Sequence, residues 1–175
     1  EEVPNMQQRI ADLAMIEGKV SICATEMMES MRTNHRPTRA EVADVAGAVR
    51  EGFSAVMLSA ETATGYDPIN AVSAMARICD ANETHDGHKS FADAHPTESA
   101  VGAATAALAK RTGASSIIAL TYSGYSSEIL SACRPAAQII AATPSHETAR
   151  RLRLYWGVTP LVCQRDVDMN VAVDD

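Results

Sequence analysis

Thr25, Ser59 and Glu61 carry polar groups at the ends of apolar runs, where such groups can reach a ligand. Thr25 closes the run 20–25, Ser59 closes the run 55–59, and Glu61 follows two residues on. A hydroxyl at a strand end can donate or accept one hydrogen bond to a substrate, and a nearby carboxylate can hold such a network in place. The plainer alternative is an ordinary strand-end threonine, with Ser59 and Glu61 tying the loop to the next helix. A second group lies at 121–126, where Thr121, Tyr122, Ser123, Gly124, Tyr125 and Ser126 join a strand to a helix. Hydroxyls and N–H groups at a helix N-terminus can take an anion. Here the alternative is a plain turn with a serine cap.

Other chemistry-bearing clusters read as structural. His85, Asp86, His88 and His95 fall in the polar, aperiodic stretch 83–96, where nothing rigid would hold a metal ligand set, so a solvated loop is expected. Arg36, Arg39, Glu41 and Asp44 surround a helix start and suit local charge pairing. Cys23, Cys79, Cys133 and Cys163 are far apart without a C-x-x-C pair, which fits reduced thiols in a cytosolic protein.

The elements that must position these groups alternate between strand and helix. The periodicity predicts helices over 6–17, 38–50 and from Pro68 onward, with Ile10, Leu13 and Ala14 on one face of the first. Thr38 with Glu41 three residues on is a capping-box pattern, and Val42, Val45, Ala46 and Val49 form the stripe of that second helix. Asp67 offers an N-cap for the third, whose predicted inner face is Ile69, Val72, Met75, Ala76 and Cys79. Strands at 20–25 and 55–59 complete a βα pattern with a parallel sheet, although two strands alone make an incomplete one. Beyond the polar stretch the pattern resumes. Helices are expected at 98–112, 126–133 and 145–154, strands at 116–121, 138–143 and 157–163, and the start of another helix after Asp166. That half reads as a three-layer α/β domain.

The composition limits the partners. A net charge of −7 argues against a nucleic-acid backbone, whose neutralisation needs clustered Lys and Arg. No apolar run reaches the roughly 18–20 residues of a membrane span, and no signal peptide is expected. A hydrophobic fraction of 46% with only 4% aromatics points to alanine-rich helices packed closely on sheets.

Blocks of this sequence, in order, resemble the pyruvate kinase family. They are Cys23-Ala24-Thr25-Glu26-Met27-Met28-Glu29-Ser30-Met31, then Arg36-Pro37-Thr38-Arg39-Ala40-Glu41, then Val56-Met57-Leu58-Ser59-Ala60-Glu61-Thr62-Ala63 and Met75-Ala76-Arg77-Ile78-Cys79. The second half adds Leu120-Thr121, Ser123-Gly124, Arg134-Pro135, Thr148-Ala149-Arg150 and Leu154-Tyr155-Trp156-Gly157-Val158. The resemblance implies the last two β/α units of a TIM-type (β/α)₈ barrel over 1–84, a linker over 85–96, and an incomplete C-terminal regulatory α/β domain over 97–175. It implies phosphoryl transfer from phosphoenolpyruvate to ADP in glycolysis, giving pyruvate and ATP, with Mg²⁺ and K⁺ as cofactors. It also implies a cytoplasmic homotetramer and a sugar-phosphate effector.

By the same resemblance, Thr25 binds the substrate carboxylate near the path of proton delivery. Ser59 belongs to the proton-transfer network, and Glu61 supports it. Thr121, Ser123, Gly124 and Ser126 grip an effector phosphate, and the stretch 36–44 lies near a subunit contact. The sequence departs from the family pattern at Glu26, where glutamine is usual, and at Ala60, where glycine is. Thr64 stands where many relatives have a lysine for nucleotide phosphates, and Tyr125 where many have a basic residue. The metal carboxylates and catalytic lysine of the family would precede Glu1, so this chain alone is expected to be inactive. The competing expectation is a non-catalytic effector-binding or oligomerisation module. A Rossmann-type nucleotide site is disfavoured, since no G-x-G-x-x-G follows a strand.

Overall fold

The computed structural model describes residues 2–24, 26–83 and 96–163. The chain divides into two compact units, Glu1–Ala94 and His95–Asp175. The histidine-rich stretch and the expected helix after Asp166 lie outside the described residues.

In the first unit, helix α1 (Val3–Ile16) begins three residues before the predicted start, because Pro4 suits a first turn whose N–H groups lack partners anyway. Strand β1 (Ile22–Cys23) pairs in parallel with β2 (Ala55–Val56), with Ile22 opposite Ala55 and Cys23 opposite Val56. Both strands are shorter than their apolar runs. Each has one neighbour among the described residues, so the ladder is confined to this register. The Ser21 and Cys23 carbonyls extend it by accepting from Ala55 and Met57.

Helix α2 (Arg39–Glu51) starts at the predicted capping box and is closed by Gly52 at φ +90°. A short helix α3 (Ala60–Ala63) follows β2, and α4 (Pro68–Asn82) starts with the Asp67 carboxylate accepting the Asn70 N–H at 3.1 Å. The core gathers Met27, Met28, Met31, Val45, Phe53 and Met75. Flexible thioethers there fill a space that α1, α2 and α4 line largely with alanines: Ala11, Ala48, Ala71 and Ala74.

This packing corrects two predicted faces. Ile10 and Leu13 on α1, and Ile69, Val72 and Ala76 on α4, are exposed; Ala11 and Met15, and Ala71 and Ala74, are buried instead, while Met75 is buried as predicted. Small residues let the helices approach the core closely, and the bulkier stripes turn outward. Val3, Met6, Ile10, Ile22 and Phe53 line an open apolar groove of about 340 Å³ along α1.

In the second unit, α5 (Pro96–Thr112), β3 (Ser116–Leu120), α6 (Tyr125–Ala132), β4 (Gln138–Thr143), α7 (His146–Leu152) and β5 (Val158–Val162) alternate. The sheet is parallel in the order β3-β4-β5, with Ile117, Ile139 and Val158 in one row. Pro160 lacks an N–H and sits in β5, which pairs only with β4, so no ladder bond on its far side is lost among the described residues. Helices α6 and α7 are the crossovers, and Ala119, Leu130 and Ile139 form the core between α6 and the sheet. Gly102 lets α5 and α6 meet: a Cβ there would stand 2.8 Å from Cys133 Sγ.

Candidate functional site

The C-terminal ends of β1 and β2 are joined by the Glu61 side chain. Glu61 lies in α3 and is 1% exposed. Its Oε2 accepts the Ser59 N–H at 2.8 Å, and its Oε1 accepts the Met28 N–H at 3.1 Å. Burial pushes this carboxyl up, but the N–H groups of Glu61 itself, Ser59 and Met28 outweigh that effect and hold it below the usual carboxylate range. Glu61 is thus bonded to the Ser59 backbone N–H. Thr25 lies outside the described residues. Its neighbour Glu26 takes a left-handed backbone, φ +55°, uncommon for a residue other than glycine.

The segment after β1 is fixed at further points. The Ser30 N–H and hydroxyl donate to Glu41 at 2.7 and 2.5 Å. The Arg32 carbonyl accepts the Tyr66 N–H at 2.9 Å, and the His35 carbonyl accepts from the Asn70 side chain at 2.7 Å. The Glu41 contact differs from the expected charge pairing. Its carboxylate binds hydroxyl and N–H donors of Ser30 and Thr38, and the two ion pairs among the described residues are Arg32–Glu29 and Arg151–Glu128. The capping-box pattern signalled the Thr38 half of this arrangement. Nothing in the spacing signalled Ser30.

In the second unit, the turn 121–126 is ordered by its own hydroxyls. Thr121 Oγ1 accepts the Gly124 N–H at 2.8 Å, and Ser123 Oγ accepts the Tyr125 N–H at 3.4 Å. Gly124 is the N-cap of α6 with φ +97°, and Ser126 is exposed in the first turn. From α7, the Arg151 guanidinium donates to the Ser123 carbonyl and to Glu128 Oε1, the latter at 2.9 Å. The Thr148 hydroxyl donates to the Tyr122 carbonyl at 3.0 Å. The four residues Thr121, Ser123, Gly124 and Ser126 are thus one turn, with a cation beside it that sequence reasoning had not singled out.

Residues 1–72 match the family described as pyruvate kinase, barrel domain, and residues 99–174 match pyruvate kinase, alpha/beta domain. The chain belongs to the pyruvate kinase family. The pyruvate kinase of Methylorubrum extorquens is 44% identical over 97% of this chain and 37% of its own length. That of Chlamydia pneumoniae is 42% identical over 93% of this chain and 36% of its own. The crystal structure of a pyruvate kinase from Cryptosporidium parvum superimposes with a TM-score of 0.84 at 31% identity, over 99% of this chain and 37% of that one. The chain therefore spans little more than a third of the length of the relatives it matches. It is mixed α/β with parallel sheets, a pyruvate kinase barrel portion followed by the α/β domain of that family.

The family resemblance implied Mg²⁺ and K⁺, with their ligands outside this chain. Among the described residues no group of three or more His, Cys, Asp and Glu comes together, and both Glu61 oxygens are occupied by N–H donors. These residues do not form a metal site. No helix among the described residues is long and apolar enough to cross a membrane. All four cysteines are free, and burial pushes the Cys23, Cys79 and Cys133 thiols up.

Proposed function

We propose that this chain is the C-terminal part of a pyruvate kinase that moves the phosphoryl group of phosphoenolpyruvate to the terminal phosphate oxygen of ADP. The phosphorus–oxygen bond of the substrate breaks, a new one forms on ADP, and the enolate left behind takes a proton on carbon to become pyruvate. Thr25 holds the substrate carboxylate near the proton path. Ser59 belongs to the hydrogen-bonded network on that face, and Glu61 keeps the two strand ends in register. The metal carboxylates and the catalytic lysine belong to barrel residues outside this chain, so these 175 residues alone transfer no phosphoryl group.

The observation that carries this reading is the buried Glu61 carboxylate, which bonds the backbone after both strand ends. A buried carboxylate with a depressed pKa where two parallel strands end supports the reading, since barrel enzymes keep their chemistry at that face. In the second unit, the turn 121–126 binds a phosphate of a sugar-phosphate effector through Thr121, Ser123, Gly124 and Ser126. Arg151 supplies the positive charge that Tyr125 does not. The assembly is a cytoplasmic homotetramer.

The test is the production of pyruvate from phosphoenolpyruvate and ADP by the complete polypeptide that carries these residues, together with its intact mass. Turnover that depends on a divalent and a monovalent cation supports the enzyme. A mass equal to these 175 residues with no turnover would replace it with the effector-binding or oligomerisation module.

A further inference from the structure

The segment 26–32 is gripped by two carboxylates from different elements. Glu61 takes the Met28 N–H, and Glu41, at the start of α2, takes Ser30 twice. Within this segment Glu26 keeps φ +55°, a conformation that persists only where the surroundings over-determine it. Capping α2 does not require the Ser30 contact. A capping box needs the Glu41 carboxylate only on the Thr38 N–H, a bond made by Oε2 at 2.7 Å. Oε1 is left to the Ser30 N–H, and Oε2 also takes the Ser30 and Thr38 hydroxyls. Four donors converge on a group that only accepts. An amide in its place would turn N–H groups toward N–H groups.

We infer that Glu41 is a positioning residue for the strand end after β1, acting through Ser30. It holds the segment 26–32, which leads away from the end of β1, in the one conformation the reaction requires. The inference rests on the kinase reading above, and its first readout does not need activity.

The experiment compares E41Q with T38A in the complete polypeptide. T38A removes the capping hydroxyl and leaves Glu41 on Ser30; E41Q keeps an acceptor for the Thr38 N–H and loses the two-sided hold on Ser30. Amide exchange at Ser30 is expected to speed up by about tenfold or more in E41Q and to stay near wild type in T38A, with Val45 in mid-α2 unchanged in both. Where the wild type turns over, kcat of E41Q is expected to fall roughly 10- to 100-fold while KM for phosphoenolpyruvate moves little, and T38A is expected to lose thermal stability and keep its kcat. Unchanged exchange at Ser30 in E41Q overturns the inference whatever the activity. So does an equal loss of kcat in the two variants. A wild type without turnover refutes the kinase reading alone, and the exchange result still decides the role of Glu41.

Discussion

The Glu61 carboxylate accepts the Met28 N–H at 3.1 Å across 33 positions of sequence, and its other oxygen takes the Ser59 N–H two residues away. One side chain thus fixes the exits of β1 and β2 relative to each other. It does so with backbone N–H donors from both sides.

Removing that side chain leaves two N–H groups without an acceptor where water is largely excluded. E61A is expected to destabilise the first unit by about 2–4 kcal/mol, the sum of two unsatisfied donors and a small cavity. A urea unfolding curve followed through the first unit checks this. A midpoint within error of wild type would contradict the account of Glu61.

The pH dependence follows from the same bonds. The folded-state pKa of Glu61 is depressed, so its contribution to stability is fully present above the unfolded carboxyl value of about 4.3. It is lost as pH falls through the lower folded value. Glu41 is depressed too, because the Ser30 and Thr38 donors outweigh its burial, and it adds to the same acid limb. Melting temperatures across that range are expected to fall less steeply for E61Q than for wild type, from a lower starting point at neutral pH.

Gly124 combines a left-handed backbone with a crowded Cβ position, 2.8 Å from Arg151 Nη2 and 3.2 Å from Leu152 Cδ2. G124A is expected to cost about 1–3 kcal/mol through backbone strain and to push the Arg151 guanidinium off the turn. A thermal melt together with the loss of the Arg151–Glu128 contact in a structure of the variant checks both parts.

Arg151 separates stability from binding. Its ion pair with Glu128 is half-exposed, so R151A is expected to change stability by less than about 1 kcal/mol. If the turn takes a phosphate, the same substitution is expected to weaken sugar-phosphate binding by roughly tenfold or more, the effect of losing one charge-assisted hydrogen bond. Calorimetric titration of fructose bisphosphate into wild type and R151A measures it. Equal affinities would remove Arg151 from the site.

Local signals carried most of what was legible in the sequence. Thr38 with Glu41, Asp67 and Ser145 each cap the helix they precede, and Gly52 closes α2, because a cap depends on residues three or four positions apart. Which face of α1 and α4 turns inward was not legible. Both helices carry two apolar stripes, one of alanines and one of bulkier residues, and the choice depends on the distance to the core rather than on hydrophobicity. The candidate site divides in the same way. The bond from the Ser59 N–H to Glu61 spans two positions; the reach of Glu41 to Ser30 and of Arg151 to Ser123 crosses 11 and 28 positions and depends on tertiary placement.

The strand order β3-β4-β5 also bears on how the second unit is made. Each strand lies beside the one synthesised just before it, and paired residues are only about twenty positions apart in sequence. Each pairing closes a short loop, so little chain entropy is lost before the next helix can pack. During translation, Ile139 can find Ile117 before Val158 has left the ribosome, and β5 then docks on an edge already in place. Such a sheet can be assembled stepwise from its N-terminal end, in the direction in which the ribosome delivers it.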